Sequence, residues 1–150
     1  MIAVLQRVKS ARVSVEGTVV GECGEGLCIL LGVSKDDIEK DAEVLANKIL
    51  GLRIFTDEND KMNLSIQDID GEMLIISNFT LLASYKKGRR PDYMCAAAPT
   101  RAEELYDYFS SLCENGVKHI GKGVFGEHME ISMIDDGPVT IVMDSKVLLG

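Results

Sequence analysis

The feature that most restricts the fold is a succession of short β-type segments in the first third of the chain. Residues 2–8 are predicted as one strand. Residues 11–15 and 18–22 alternate apolar and polar side chains, and Glu16-Gly17 between them is typical of a hairpin turn. Residues 27–32 form a continuous apolar run, which predicts a strand that is buried on both faces. Because alternation has the period of a pleated strand, a chain that begins this way is expected to build a sheet.

Two helices are predicted beyond this β-rich part. Ser34-Lys35-Asp36-Asp37 resembles a capping box and predicts the start of the first helix. A second helix is predicted from Pro99-Thr100, with a capping box to Glu103, and Asn115-Gly116 is expected to end it. The apolar face predicted for the first helix comprises Ile38, Ala42, Leu45, Ala46 and Ile49.

The remaining segments point to further strands and to one domain. Short strands are expected to begin at Arg53 and to cover residues 73–77, and residues 146–150 are expected to be a strand extension or a tail. Two helices and roughly eight strands predict an α+β fold. The sequence has 150 residues, 46 % of them hydrophobic, and no linker-like stretch, which favours a single domain over residues 1–150.

Several classes of protein are disfavoured by composition. No apolar run reaches the ~18 residues that a membrane-spanning helix needs, and residues 1–8 lack the basic start of a signal peptide. The four cysteines form no C-x-x-C pair and have no histidine at zinc spacing. We therefore expect buried reduced thiols, no metal, no cofactor, no membrane partner and a cytoplasmic location.

One segment departs from the charge of the rest of the chain. The net charge is −8, which argues against nonspecific nucleic-acid binding through many phosphate contacts. Residues 86–91, Lys-Lys-Gly-Arg-Arg-Pro, nevertheless carry four positive charges. Such a run is either a solvated loop or a small patch that contacts the phosphates at one end of an RNA. The candidate RNA-binding residues are Lys86, Lys87, Arg89 and Arg90.

Two further segments lie at the ends of predicted strands. Ser77-Asn78-Phe79-Thr80-Leu81 follows the strand over residues 73–77, and Asp136-Gly137-Pro138-Val139-Thr140 lies between two strand-like runs. Taken alone, the Gly-Pro step predicts a tight hairpin corner, because Gly tolerates positive φ and Pro fixes φ near −65°. Taken alone, Thr80 is a residue of high β-propensity at a strand end.

Together the two segments resemble the two signatures of the D-aminoacyl-tRNA deacylases, which usually read Ser-Gln-Phe-Thr and Asn-x-Gly-Pro-Val-Thr. The resemblance covers nearly the whole chain, from Met1 to about residue 143. Asn78 stands where the family usually has Gln, so a hydrogen bond to substrate or to a neighbouring loop is lost or relayed by water. Asp135 stands where Asn is usual; its charge either attracts a substrate ammonium or repels RNA phosphate.

The resemblance implies a fold, an activity and an assembly. The fold would be a curved, barrel-like mixed sheet with two main helices packed on one side. The activity would be hydrolysis of the ester in D-aminoacyl-tRNA, and of tRNA wrongly charged with glycine, as chiral proofreading in translation. The partners would be the 3′ end of aminoacylated tRNA and a second copy of the chain, in a homodimer with composite active sites.

The resemblance also implies a role for the Gly-Pro step. The family's Gly-Pro bond is cis, which turns two carbonyl oxygens towards the substrate α-ammonium in the partner subunit's site. The same backbone would exclude an L side chain by steric clash. Arg7 and Phe125 match the family more loosely as pocket residues, with an edge-strand cation and a core aromatic as the alternatives. The candidate site residues are Thr80 (catalytic) and Ser77, Asn78, Phe79, Gly137, Pro138, Arg7 and Phe125 (substrate-binding).

No catalytic base is evident beside Thr80. An alcohol is a poor nucleophile without a base, and His119 and His128 are distant in sequence, so we do not expect either at Thr80. An aminoacyl ester is already activated towards water, so orientation and the backbone N–H groups around Phe79 and Thr80 would supply most of the catalysis. Of the two mechanisms argued for the family, Thr-centred and assisted by the ribose 2′-OH, the missing base favours the second.

Two other functions fit the same residues. One is a noncatalytic dimeric module that binds the end of tRNA through its basic segment. The other is a structural β-protein in which the Gly-Pro step is only a corner. Release of the amino acid from D- and L-aminoacyl-tRNA distinguishes the three.

Overall fold

Eight strands and three α-helices form the computed structural model of the protein, which describes residues 1–150. A 3-10 helix covers Phe79–Leu82. The helices span Glu39–Leu50 (α1), Pro99–Glu114 (α2) and Ser145–Leu149 (α3). The strands span Ile2–Val15 (β1), Thr18–Cys23 (β2), Gly26–Gly32 (β3), Phe55–Thr56 (β4), Met62–Leu64 (β5), Glu72–Ser77 (β6), His119–Lys122 (β7) and Glu130–Asp144 (β8).

The main sheet is organised around β1. This strand pairs antiparallel with β2, β3 and β8, and the sheet continues through parallel pairs from β3 to β6 and from β6 to β7. Residues 2–8 and 11–15, predicted as two strands, belong to this one long strand. The predicted hairpin is confirmed, with positive φ at both Glu16 (48°) and Gly17 (79°), as a tight hairpin turn requires.

The sheet curves until its two edge strands meet. A Cβ atom on Gly21 of β2 would overlap the Lys122 carbonyl oxygen of β7, and one on Gly121 would overlap the Glu22 carbonyl oxygen. Only glycine permits backbones to approach this closely, so these two residues allow the barrel to close almost completely. The expected α+β fold with a curved, barrel-like mixed sheet is confirmed.

The two main helices pack on one side of this sheet, also as expected. Their buried faces share one core with β1, β3 and β6, and Leu5, Ile29, Leu45, Ile75 and Phe109 are fully buried there. A core of this kind is what the apolar run over β3 predicts for a strand covered on both faces. No helix is long and apolar enough to cross a membrane.

Both predicted capping boxes are wrong, although the second helix begins at Pro99 as predicted. α1 begins after Ile38, and the Asp41 carboxylate, not the Ser34 hydroxyl, accepts from the first free N–H group, that of Ile38, at 2.9 Å. The Ser34 N–H instead donates to the Asp37 carboxylate at 2.7 Å. α2 begins at Pro99 without a side-chain cap; proline suits the first helical position, where an N–H would have no partner within the helix.

The C-terminal residues, expected as a strand extension or a tail, form helix α3. A buried cluster ties this helix to the start of β1: the Met1 ammonium donates to the Asp37 carboxylate and the Ser145 hydroxyl, each at 2.7 Å. The Asp41 carboxylate accepts from the Ser145 hydroxyl at 2.6 Å and from the Lys146 ammonium at 2.7 Å. The sequence prediction missed the helix because its partners lie more than a hundred residues away.

Candidate active site

A cavity of about 730 Å³ opens where β6 ends. Ser77 closes the strand, Asn78 follows it, and the 3-10 helix that begins at Phe79 carries Thr80 along the cavity wall. Most of the other lining side chains are apolar; they come mainly from residues 93–97, the start of α2 and residues 125–131. Residues 77–80, four of the five in the first sequence segment, therefore lie in one concave site, the usual setting for small-molecule chemistry.

The turn out of β6 is fixed by Asn78. Its backbone is extended (φ −145°, ψ 90°), and its Oδ1 atom accepts hydrogen bonds from the Thr80 N–H (3.3 Å) and the Thr80 hydroxyl (2.5 Å). The Asn78 N–H donates to the Leu31 carbonyl at 2.8 Å. A Cβ on Gly32 would lie 2.5 Å from Leu82 Cδ2, so this glycine lets the 3-10 helix pack on β3.

This arrangement decides which groups are free for chemistry. The Thr80 N–H, one of the two amide donors predicted for an oxyanion, is already used by Asn78. The Phe79 N–H donates to no acceptor within the protein, since it precedes the first internal bond of the 3-10 helix. The Thr80 hydroxyl donates to an amide oxygen and has no base beside it. The shorter arm of Asn78 thus turns back onto its own helix.

Aromatic side chains shape two sides of the cavity. Phe79 is 54 % exposed and meets the Tyr93 ring edge-on, with centroids 4.9 Å apart. Phe125 lines the opposite part and is tilted against Tyr106 at 6.2 Å, where it also contacts the main core. Phe125 therefore both lines the cavity and packs against the core.

One histidine lies where no sequence pattern predicts it. His128 and its neighbour Glu127 line the same cavity as Thr80, although neither makes a hydrogen bond to Thr80. The sequence predicts neither histidine at Thr80; His128 does line the cavity, but without a hydrogen bond to Thr80. Its only signal in the sequence is its position three residues after Phe125, a predicted pocket residue.

Gly137 and Pro138 lie elsewhere, within β8. Opposite β1 the register passes from Val8–Asp135 to Gln6–Thr140, so residues 136–139 all lie across from Arg7 alone. The predicted hairpin corner is therefore wrong: the chain bulges and then continues in the same strand. The Gly137–Pro138 bond is cis, as the resemblance implies. A Cβ on Gly137 would overlap the Val139 nitrogen, so the bulge requires glycine.

Arg7 fastens this bulge and does not line the cavity. Its Nε atom donates to the Asp136 carbonyl at 2.8 Å and lies 3.3 Å from the carboxylate of the same residue. One of its terminal nitrogens donates to the Ile54 carbonyl at 2.8 Å. With a side chain only 12 % exposed on a strand paired on both sides, Arg7 is not an edge-strand cation either.

The four predicted RNA-binding cations lie on one loop beside the site. Ser84 and Asp92 exchange backbone hydrogen bonds of 2.8 Å, which close residues 84–92 into a projection that we call the basic loop. Gly88 turns its tip with φ +69°. The side chains of the loop's four cations are exposed and form none of the protein's ion pairs; these are Lys86, Lys87, Arg89 and Arg90.

The thiols and acids outside the cavity offer no second reactive centre. Burial raises the pKa of Cys28 and of Cys113 to about 12 and that of Cys23 to about 11, so these thiols stay protonated. Cys95 is exposed, contrary to the expectation that all four thiols are buried. No three of the His, Cys, Asp and Glu side chains converge as metal ligands would.

Comparison with known proteins agrees with this geometry. The sequence model of the D-Tyr-tRNA(Tyr) deacylase family matches residues 4–144. Proteins named D-aminoacyl-tRNA deacylase from Caldicellulosiruptor saccharolyticus and Thermosipho africanus are 54 % and 53 % identical to this chain, over 97 % of it and 98 % of theirs. One from Sulfurihydrogenibium sp. is 53 % identical over 99 % of this chain and 100 % of its own.

Two solved structures have the same fold. One, described as a c-Myc DNA Unwinding Element Binding Protein, superposes with a TM-score of 0.90 at 39 % identity, over 96 % of this chain and 98 % of its own. The other, described as a probable eukaryotic D-amino acid tRNA deacylase, gives a TM-score of 0.83 at 17 % identity, over 95 % and 98 %. With the family match and the relatives above half identity, the conclusion is that this chain belongs to the D-Tyr-tRNA(Tyr) deacylase family.

Proposed function

We propose that the protein, as one domain over residues 1–150, hydrolyses the ester bond of D-aminoacyl-tRNA in the cytoplasm. The products are the free D-amino acid and tRNA, so the reaction keeps D-amino acids out of translation. The observation that carries the proposal is the cavity in which the unpaired Phe79 N–H lies next to Thr80. The family to which the chain belongs supports the choice of substrate.

The chemistry follows from the groups that this cavity leaves free. Water adds to the ester carbonyl, the carbonyl oxygen becomes an oxyanion, and the bond to the ribose 3′-oxygen then breaks. The Phe79 N–H is the donor proposed for the oxyanion, a contact that supplies about 3–4 kcal/mol of transition-state stabilisation in comparable sites. The leaving 3′-oxygen takes its proton from the neighbouring 2′-OH, which in turn takes one from the attacking water, so the 2′-OH relays a proton and ends unchanged.

Thr80 positions and does not attack in this scheme. Because its hydroxyl proton is donated to Asn78, its oxygen is left as an acceptor for the attacking water or the 2′-OH. Ser77, whose hydroxyl makes no hydrogen bond within the protein, is the remaining polar group proposed to bind substrate at the end of β6. The mechanism needs no base, which agrees with the surroundings of Thr80.

We propose that the bulge of β8 completes the site of a second copy of the chain. Two facts support a homodimer with composite sites. Gly137 and Pro138 are exposed and do not line the cavity of their own chain. Around them β8 also exposes apolar side chains, among them Ile134 (60 %) and Val142 (68 %), which a partner would cover.

The bulge is also the proposed source of chiral selection. Its backbone, inserted from the partner, would occupy the space of an L side chain while its carbonyl oxygens accept from the α-ammonium. A glycyl ester has no side chain to clash, so glycyl-tRNA is a second proposed substrate. Phe125 is proposed to bound the same pocket, whereas Arg7 acts through the bulge that it holds.

A mixture of two variants tests the composite site. Phe79→Pro removes the proposed donor, and Gly137→Ala forces the bulge to move. In a two-fold dimer each mixed pair rebuilds one intact site, so equal amounts, unfolded and refolded together, should recover about a quarter of wild-type activity from two inactive proteins. No recovery, with mixed dimers present by sedimentation, contradicts the composite site.

A noncatalytic nucleic-acid-binding module is the second candidate. It is favoured by the basic loop and by the more similar of the two solved structures, which is described as a DNA-element-binding protein. The deciding experiment incubates purified protein with D-Tyr-tRNA and with L-Tyr-tRNA and measures amino-acid release. Rapid release from the D-ester alone supports the deacylase, whereas decay of both at the buffer rate with tRNA still bound supports the binding module.

A further inference from the structure

The basic loop carries an aromatic side chain that the structure does not otherwise use. Tyr85 is 82 % exposed and makes neither a hydrogen bond nor a ring contact within the protein. It directly precedes Lys86 and Lys87, and the loop's four cations have no acidic partner. Exposed rings next to unpaired cations are the composition of surfaces that bind single-stranded nucleic acid by stacking and phosphate contacts.

The loop is attached to the rim of the cavity at both of its ends. Ser84 follows the 3-10 helix that carries Thr80, and Asp92 precedes Tyr93, whose ring meets Phe79 and lines the cavity. The tip at Gly88 is four residues from Ser84, a reach of no more than about 14 Å. A strand that leaves the cavity past Phe79 and Tyr93 therefore arrives at the basic loop.

The charge of the surroundings supports a nucleic-acid strand as the occupant. The protein has a net charge of −8, and a cationic projection on an acidic body attracts a polyanion at one place only. A continuous duplex needs a broad basic surface, whereas a few unpaired nucleotides need a ring and a few cations. The basic loop offers the second set.

We propose that Tyr85 stacks on one of the unpaired nucleotides that precede the terminal adenosine of the tRNA, while the four cations of the basic loop contact their phosphates. This inference rests on the proposed function, because it assumes that the terminal adenosine occupies the cavity. Stacking uses the face of a base and not its edge, so one ring serves tRNAs of different sequence.

Paired substrates test the role of Tyr85. Tyr85→Ala should lower kcat/KM on intact D-Tyr-tRNA about tenfold, mainly through KM, and leave the D-tyrosyl ester of free adenosine unchanged. Tyr85→Phe, which keeps the ring and removes the hydroxyl, should match the wild type on both. Equal losses on the two substrates, or no loss on tRNA, overturn the proposal. Circular dichroism of both variants excludes unfolding as the cause.

A binding measurement separates this proposal from the proposed function. An uncharged acceptor-stem hairpin with its unpaired 3′ nucleotides should bind more tightly than the same hairpin without them. Replacing all four cations of the loop by Ala should reduce the slope of log K against log salt by about 3. Equal binding of the blunt hairpin, or an unchanged slope, overturns the proposal. A wild type that shows the expected binding but hydrolyses neither ester contradicts the proposed function alone.

Discussion

The two segments that carry the family resemblance are built in opposite ways. The turn after β6 is held locally: Asn78 bonds to Thr80, two residues away. The bulge of β8 is held at long range, by an arginine 129 residues earlier in the chain. The conformation of a turn held by local hydrogen bonds depends mainly on its own residues, whereas the conformation of a bulge depends on the strand opposite it.

In the proposed function the two segments have different roles. The local turn presents a backbone donor and a hydroxyl to the cavity, which suits the acceleration of hydrolysis. The distant bulge does not line the cavity of its own chain, so in the proposed homodimer it would select substrate in the site of the second copy. Changes in the turn should therefore affect rate, and a change that only loosens the bulge should affect the ratio of D- to L-ester hydrolysis. Displacing the bulge altogether, as Gly137→Ala is expected to do, should also remove the proposed acceptors of the α-ammonium and with them the activity.

The largest effect is expected at the Phe79 N–H. Phe79→Pro removes this donor, and Pro fits because Asn78 before it is already extended and the position begins a helix. We expect single-turnover hydrolysis of D-Tyr-tRNA to fall at least about 100-fold, close to 3 kcal/mol of activation free energy.

Phe79→Ala is the matched control, since it removes the ring but keeps the N–H. It should retain most of the chemical rate and lose affinity through the missing contact with Tyr93. Equal rates for the two variants would show that the ring, and not the backbone donor, is what the turn provides.

The next effect is expected at Arg7. Arg7→Lys keeps the charge but loses the planar fork, leaving the carbonyl oxygens of Asp136 or Ile54 without their donor. We expect about 2 kcal/mol lower free energy of unfolding and a smaller D/L ratio in the hydrolysis assay, with the rate on the D-ester less affected. A Lys variant with the wild-type ratio would show that charge alone holds the bulge.

As the pH falls, the contacts at the C-terminal end of β8 should weaken before those of the turn after β6. Burial disfavours the charged Asp41, but hydrogen bonds from Lys146, Ser145 and the Ile38 N–H outweigh it and lower the pKa to about 2. In the unfolded chain the pKa of an Asp is about 3.9. The stabilisation is therefore complete above about pH 4 and is lost as the pH falls towards 2, and it amounts to about 2 kcal/mol of the free energy of unfolding. Urea unfolding of wild type and Asp41→Asn between pH 2 and 5 measures it; an equal slope in the variant contradicts the assignment.

A smaller effect is expected at Asn78. Asn78→Ala removes the cap of the 3-10 helix and should cost about 1 kcal/mol in the free energy of unfolding, measured with urea. Asn78→Asp keeps the acceptor and should restore most of it. If Ala and Asp variants are equally stable, the turn is not held by the side chain of residue 78.

Features that neighbouring residues determine are the ones that could be predicted from the sequence. The Glu16-Gly17 hairpin and the apolar strand over residues 27–32 are local patterns, and both are found. The cavity around Thr80 follows from the resemblance, and the structure brings Ser77 to Thr80 and Phe125 together in it. Each of these features depends either on residues close in sequence or on a motif that the family resemblance identifies.

Features that depend on distant partners could not be predicted. The bulge is predicted as a hairpin corner because its own residues are typical of one. The residue that it lies opposite, Arg7, gives no signal near it in the sequence. Helix α3 could not be recognised from residues 145–149 alone, because the contacts that stabilise it are to Met1 and Asp41. His128 lines the cavity from the segment between β7 and β8, and no local pattern in the sequence indicates this position.

The central claim is that hydrolysis depends on the Phe79 donor and the substrate's own hydroxyl, with Thr80 only positioning. Two single-turnover measurements test it directly. In the first, the Thr80→Ala variant hydrolyses D-Tyr-tRNA with a normal terminal ribose; in the second, the wild type acts on D-Tyr-tRNA that ends in a 2′-deoxy ribose. We expect the variant to stay within about tenfold of wild type and the 2′-deoxy substrate, charged on its 3′-OH, to be almost inert. An inactive Thr80→Ala together with normal turnover of the 2′-deoxy substrate would contradict the account and make Thr80 the nucleophile.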